Sequence, residues 1–135
     1  MAKEEGAILD VTFPAAEDLS TNQYRIVVLT STGVRRPNDG AADRIAAIGV
    51  LQNAPASGYP AVVRLKGTSK VVLAEAVAVG EYIAAEYVDA DDAGKGRDAD
   101  VAKDIALGRC IMGGSEDELG EILLPGMTYQ VGIAS

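Results

Sequence analysis

The sequence has no histidine, no tryptophan and a single cysteine among its 135 residues. Without histidine it cannot form a Ser-His-Asp triad, a Cys-His dyad or the usual zinc and iron ligand sets. Cys110 cannot form an internal disulfide, and because it lies in an apolar, strand-like run we expect a small buried side chain. We therefore predict no catalytic residue, no metal and no cofactor.

Basic residues are outnumbered: 12 Lys and Arg stand against 20 Asp and Glu, and the formal net charge is −8. This charge repels nucleic acid phosphates and anionic lipid surfaces at long range. No run approaches the ~18 to 20 apolar residues of a membrane span, and the start of the chain has no apolar signal-peptide core. We predict no nucleic acid partner, no membrane partner and synthesis in a cytoplasm-like compartment.

Aromatic residues are only 4% of the chain, whereas 48% of its residues are hydrophobic. Ala, Val, Ile and Leu carry that share, so small and branched side chains must fill the interior, which suits thin β structures. A chain of this length fits one domain with a substantial core. The composition thus favours a single β domain.

Two stretches look like copies of one β-hairpin. Gly108 follows Gly49 by 59 positions, and the same offset carries Val63 onto Ile122. A glycine inside a strand usually marks a bulge or a close approach of two backbones. Each copy has two strand-like runs separated by a polar loop: Ala47–Leu51 and Ala61–Leu65 in the first, Ala106–Cys110 and Gly120–Leu124 in the second. The repeat predicts an all-β fold, a small β-barrel-like domain of two related hairpin units.

The chain before these units is expected to be an N-terminal arm. Residues 1 to about 22 mix charges with one short apolar run, Ala7–Phe13, which Pro14 interrupts. We interpret this run as part of an arm (residues 1–22) rather than as a core element of the single β domain (residues 23–135).

Within the domain, β-branched residues at Tyr24–Thr30 predict a buried strand. The segment Leu65–Val71, centred on Gly67, is interpreted as a tight hairpin, and Val79–Glu81 as a turn. Two short stretches, Asp39–Ala46 and Asp98–Asp104, are predicted to hold one or two helical turns each.

The acidic segment Asp89–Asp104 partly matches a calcium-binding loop, with acids and a glycine at the expected spacing. However, Ala93 stands at a ligand position, and Lys95 and Arg97 bring positive charge into the loop. We therefore expect a solvated acidic loop between strands.

Two more patterns bear on binding. Gly113–Gly120 is interpreted as a hairpin turn and not as a phosphate loop, because it lacks a lysine and contains three consecutive acids. Arg35 and Arg36, with Lys3 and Lys66, form either a solubilising surface or a cationic spot that could dock an acidic partner.

The order of these elements resembles the small capsid decoration, or cement, proteins of tailed bacteriophages. The resemblance covers roughly residues 24 to 125. The segments that carry it are, in order, Ile48–Leu51, the loop Asn53–Gly58, Ala61–Leu65, Gly67, the turn Val79–Tyr82, Leu107–Arg109 and Leu119–Leu124. Family members commonly have a nearly bare turn where this chain has its charged insert, Asp89–Asp104.

The resemblance implies a non-enzymatic virion protein that assembles as a homotrimer on the outer capsid surface, contacts the major capsid protein and is made in the host cytoplasm. The arm would lie against an exposed strand of the capsid, and the cationic spot would support it. The candidate capsid-binding residues are Ile8, Leu9, Val11, Phe13, Arg35 and Arg36.

Two other classes stay open. Another virion component, such as a head fibre or tail part, or a general binding module would share the β fold without the same capsid contact. A carboxylate-based enzyme would require a cavity with converging Asp or Glu side chains.

Overall fold

The computed structural model describes residues 8–38, 43, 46–87, 89–100, 104–126 and 129–130. Within these residues the chain forms strands connected by turns and loops, which confirms the predicted all-β fold. In chain order the strands are β1 (Leu9–Pro14), β2 (Ile26–Thr30), β3 (Gly33–Arg35), β4 (Ala47–Leu51), β5 (Pro60–Val72), β6 (Tyr82–Ala85), β7 (Gly96–Asp98), β8 (Ile105–Ala106), β9 (Gly108–Met112), β10 (Leu119–Pro125) and β11 (Tyr129–Gln130).

Nine of these strands form one curled, half-barrel sheet of antiparallel neighbours in the order β3-β2-β4-β5-β10-β9-β6-β7, with β1 also paired to β5. Strands β8 and β11 form a separate pair. No helix within the described residues has the length and apolar character needed to span a membrane. The predicted helical turn at Asp39–Ala46 falls largely outside the described residues. The one predicted at Asp98–Asp104 is not found in its described part, where Asp98 ends β7 and residues 99, 100 and 104 are not helical.

The two hairpins are structural copies with the same register. We call β2, β4 and the first half of β5 the first unit, and β6, β9 and β10 the second unit. The corresponding pairs, each related by the 59-residue offset, are Val50 with Arg64 and Leu51 with Val63 in the first unit, and Arg109 with Leu123 and Cys110 with Ile122 in the second. The repeat seen in the sequence is therefore confirmed at the level of single paired residues.

Three apolar clusters fill the interior, the third being a small one of Ala84, Ala99 and Ala106. The first cluster contains Ala15, Leu19, Val27, Val34, Leu51, Ala61 and Val63. The second cluster contains Ile26, Val28, Ala47, Val50, Val71, Leu73, Val77, Ile83, Ala85, Leu107, Cys110, Ile122 and Leu124. The sheet of the first unit lies between the first and second clusters, which explains its continuous apolar run: Ile26 and Val28 face the second cluster while Val27 faces the first. Cys110 is buried, as predicted.

The predicted hairpin at Leu65–Val71 is wrong. The segment belongs to one long strand, β5, in which Gly67 has a positive φ of 106° without reversing the chain. Distant strands provide the pairing instead: residues 60–66 pair with β1, and residues 66–72 pair with β10. β5 therefore passes from the first unit to the second.

The N-terminal segment is bound more closely to the domain than an arm would be. β1 pairs with β5 along its length, from Leu9 opposite Lys66 to Pro14 opposite Pro60. After it, Ala15 and Leu19 are fully buried in the first cluster. The interpretation that Pro14 separates this segment from the core is thus wrong, because Pro14 ends β1 and directs the chain across the first cluster. Residues 1–7 lie outside the described residues.

Candidate interaction surfaces

The four apolar residues predicted to bind a capsid lie in β1 or just before it, and they differ in exposure. Ile8 and Leu9 are exposed to 53% and 48%. Val11 and Phe13 are half-buried, and Phe13 packs against the first cluster. Only Ile8 and Leu9 therefore offer a substantial apolar surface to a partner.

The cationic spot is compensated by carboxylates. Arg35 donates two hydrogen bonds to Asp43, of 2.7 and 2.8 Å, and Arg36 Nε donates to a carboxylate oxygen of Glu17 at 3.0 Å. Burial tends to raise the pKa of Glu17, but the hydrogen bonds and positive charge of Arg36 outweigh it and leave the pKa below its ordinary value. Lys3 lies outside the described residues. The arginines thus present paired charge, not a free cationic patch.

Glu17 and Arg36 also line an open cleft of about 430 Å³, together with Tyr87 and Asp89. A carboxylic acid that acts as a general acid near neutral pH needs a raised pKa, whereas the pKa of Glu17 is lowered. The lowered pKa therefore does not suit Glu17 to the role of a general acid in this cleft.

The acidic insert is not the solvated loop that its composition indicates. It contributes β7, which pairs with β6. Arg97 forms two hydrogen bonds of 2.8 Å with Asp104, both groups being buried. Lys95 donates to Asp92 at 2.7 Å and to Asp117 at 2.6 Å. Sequence reasoning missed this arrangement because charged residues look solvated until their partners are known.

Backbone carbonyl oxygens of the insert also accept hydrogen bonds from Ile26 and from the preceding residue, Arg25. Ile26 donates its N–H to the carbonyl oxygen of Gly94 at 2.6 Å, and Arg25 donates to the carbonyl oxygens of Asp91 and Ala93. In the described part of the chain, no group of three or more Cys, Asp or Glu side chains is arranged to hold a metal ion. Lys95, not a metal, bridges two of the carboxylates near this segment.

The second unit has an exposed apolar surface that sequence analysis did not single out. We call it the outer face; it consists of Tyr82, Arg109, Ile111, Met112, Leu119 and Leu123. Its five apolar members are between 40% and 50% exposed. Gly108 and Pro125, with Tyr82, Arg109 and Leu123, line a shallow groove of about 200 Å³ on this surface.

A β-bulge concentrates apolar side chains on the outer face. Cys110 pairs with Ile122 and Met112 pairs with Glu121, so Ile111 is an extra residue between the two pairs. A bulge interrupts the alternation of sides, and Ile111 and Met112 are consequently both exposed.

Arg109 is fixed on the outer face by its neighbours. Its guanidinium lies 4.9 Å from the centre of the Tyr82 ring, and Nη2 donates to the carbonyl oxygen of Gly80 at 3.1 Å. The cation–π contact and the hydrogen bond hold the side chain flat. The Arg109 side chain is therefore held against the Tyr82 ring, beside the apolar residues of the outer face.

One sequence signal does point to this surface. A strand of an antiparallel sheet with one wet side alternates apolar and polar residues. β10 instead has buried Ile122 and Leu124 on one side, and exposed Leu119 and Leu123 on the other. The exposed side of β10 thus presents two leucines with the half-buried Glu121 between them.

No family model matches this sequence, and no curated protein matches it. Among solved structures, the chain is similar to the head fibre gp8.5 N base of bacteriophage phi29, with a TM-score of 0.58 and 12% sequence identity. The alignment covers 90% of this chain and 98% of the phi29 chain. At this identity the likeness establishes a common fold over nearly the whole of both chains.

Proposed function

We propose that this chain is a non-enzymatic structural protein of a bacteriophage virion, which binds the major capsid protein as a homotrimer on the outer surface of the expanded icosahedral capsid. The supporting observation is the extent of the structural likeness: 98% of a phage head fibre base is matched by this fold. The sequence resemblance to capsid decoration proteins, carried by the two hairpin units, supports the same assignment.

The physical role of such a protein is to stabilise one state of a lattice. A ligand that binds only the expanded capsid lowers the free energy of that state by mass action. Each contact can be weak, because a trimer that touches several capsid subunits gains affinity from effective concentration.

The β1 surface supplies the capsid contact in this proposal. Ile8 and Leu9 are its exposed apolar residues, and β1 is held in place by β5 and by the ion pair of Asp10 with Arg64, at 2.8 and 3.0 Å. Phe13 anchors the strand to the first cluster, while Arg35 and Arg36 provide paired charge near its end, since Val34 bridges to Ala15. A prearranged surface of this kind loses little conformational entropy on binding.

The direct test mixes the purified protein with bare expanded capsids and, as a control, with unexpanded procapsids. We expect regularly spaced density on the expanded capsids by electron microscopy, co-sedimentation with them and a higher temperature of capsid disruption. Absence of binding to expanded capsids contradicts the proposal.

The contact surface is tested by Leu9→Asp, with Val79→Asp as the matched control, because Val79 is 70% exposed in a turn away from β1. We expect at least about a tenfold loss of capsid affinity, equivalent to about 1.4 kcal/mol, for Leu9→Asp alone. Equal affinities of the two variants would move the capsid contact away from β1.

A second candidate, the base of a head fibre, is favoured by one observation: the phi29 structure is itself a head fibre N base. A fibre base needs to attach without stabilising the lattice. Binding to capsids with no change in their disruption temperature would therefore favour the fibre base over decoration.

A further inference from the structure

Each unit has a row of three paired residues at equivalent positions of its strands, and the two rows differ in how far other residues bury them. In the first unit, Ile26, Val50 and Arg64 lie side by side across β2, β4 and β5. In the second unit, Tyr82, Arg109 and Leu123 occupy the equivalent row across β6, β9 and β10.

The second unit covers two of the three residues in the row of the first unit, Ile26 and Val50, while Arg64 is paired with Asp10 of β1. Ile26 and Val50 have no exposed surface and pack in the second cluster with Ile83, Cys110 and Ile122, which project from the other side of the second unit. One unit of this fold therefore buries two residues of its outer row under another unit of the same fold.

The equivalent row of the second unit is partly exposed: Tyr82 is 40% and Leu123 49% exposed. Further along β6, on the same side as Tyr82, Ala84 is buried with Ala99 and Ala106. At the opposite end of the stack, β1, Ala15 and Leu19 close the first cluster. We call these residues the cap of the first unit; the outer face of the second unit, by contrast, keeps five apolar side chains that are 40% to 50% exposed.

The outer face carries three residue types that are enriched in protein interfaces, tyrosine, methionine and arginine, next to one glutamate, Glu121. Tyrosine, methionine and arginine are enriched at the centres of interfaces, while lysine and glutamate are depleted. Exposed apolar surfaces of this kind on a folded domain commonly mark association sites.

The charges of the outer face are complementary to those of a second copy. Arg109 is bonded to a backbone carbonyl and a ring, with no carboxylate within ion-pair distance among the described residues. Glu121, its neighbour on β10, lies opposite Lys70 of β5 in the strand register, and no ion pair of Glu121 is formed among the described residues. Arg109 of one copy and Glu121 of another can provide each other's counterion, which a face carrying charge of one sign could not do.

We infer that the outer face of the second unit binds a second copy of this chain, so that the outer faces meet around the axis of a closed homo-oligomer. This inference deepens the proposed function, from which it takes the trimeric state, and assigns self-association and capsid binding to different surfaces. The first unit's cap prevents open-ended stacking, and a closed ring is the form that soluble homo-oligomers usually adopt.

The test uses Leu123→Lys, with Tyr59→Lys as the matched control. Tyr59 is 65% exposed in the loop before β5, and its side chain is outside the outer face. Light scattering after gel filtration gives the mass, and near-ultraviolet circular dichroism and thermal melting report whether each variant is folded. We expect a trimer for the wild type and Tyr59→Lys, and a folded monomer for Leu123→Lys, with at least about a tenfold rise in the dissociation concentration.

If Leu123→Lys does not fold, the milder variant Leu123→Ala takes its place in the test. We expect it to weaken the trimer to an intermediate degree. A wild-type protein that is monomeric at all concentrations would overturn the inference, as would a trimer in which Leu123→Lys and Leu123→Ala change nothing.

Loss of capsid binding by a Leu123→Lys variant that is still a trimer would show that the outer face docks on the capsid instead. A wild-type trimer disrupted by Leu123→Lys that binds no capsid would support the inference while contradicting the proposed function.

Discussion

Gly108 lies so close to the backbone of Leu123 that a Cβ added to it would stand 2.2 Å from the Leu123 carbonyl oxygen. Gly49, its counterpart in the first unit, has the same relationship to the carbonyl oxygen of Arg64, at 2.3 Å. Both hairpins depend on a close approach of backbones that any side chain would prevent.

We expect Gly108→Ala to lower the free energy of unfolding by about 3 kcal/mol, because the backbone of β10 must move to admit the methyl group. Ser57→Ala, in the exposed loop of the first hairpin, should change it by less than about 0.5 kcal/mol. Denaturation in urea measures both. Equal midpoints for the two variants would show that the strands are not in close contact at Gly108.

Leu19→Ala tests whether the N-terminal segment belongs to the core. Because Leu19 is fully buried in the first cluster, its truncation should lower the free energy of unfolding by about 2 to 5 kcal/mol. Ser20 is exposed, and Ser20→Ala is the neighbouring control. If the segment were a detached arm, Leu19→Ala would be as harmless as the control.

The buried pair of Arg97 and Asp104 predicts opposite results for single and double replacement. Asp104→Ala removes the buried counterion of Arg97, leaving only the exposed Asp100 at 3.9 Å, and should cost about 3 kcal/mol of stability. Arg97→Met combined with Asp104→Leu removes both charges and should restore most of that loss. A double variant as unstable as the single one, in thermal melting, would refute this explanation.

Asp98 predicts an unusual dependence on pH. Burial, a hydrogen bond with Glu81 and the charges of nearby carboxylates all raise its pKa. Since the folded-state pKa exceeds the unfolded one, the stabilising contribution is complete below the unfolded pKa, about 3.9, and is lost as pH rises through the folded pKa.

We therefore expect Asp98→Asn to melt at a higher temperature than the wild type at pH 7, with the difference shrinking as the pH falls toward the unfolded pKa. Glu116→Gln, which removes an exposed carboxylate, accounts for the general effect of losing one negative charge. A constant difference between Asp98→Asn and the wild type at all pH values would contradict the assignment.

The sequence alone was sufficient for features that depend on local pattern. The 59-residue offset between Gly49 and Gly108 predicts the two hairpins, and the structure reproduces that offset in their register. The burial of Cys110 and the turn at Gly80 could also be predicted, because the residue type and its immediate neighbours decide both.

Features set by distant partners could not be predicted. Gly67 with polar neighbours is typical of a hairpin, yet Ser69 pairs with Ile122, more than fifty positions away. Arg97 likewise looks solvated in an acidic stretch until Asp104 is placed beside it. The outer face was missed because a bulge, which the sequence does not encode in any simple pattern, turns Ile111 and Met112 to the same side.

β5 begins in the first unit and continues as the pairing partner of β10 in the second, which links the unfolding of the two units. Ala61 and Val63 in its first half face the first cluster, while Val71 near its end faces the second. Neither unit can separate from the sheet without releasing backbone groups of this strand, so the two halves cannot unfold as independent foldons. In hydrogen exchange, the slowest amides of β4 and β10 should share one opening free energy, that of global unfolding, although the two units have the same hairpin register.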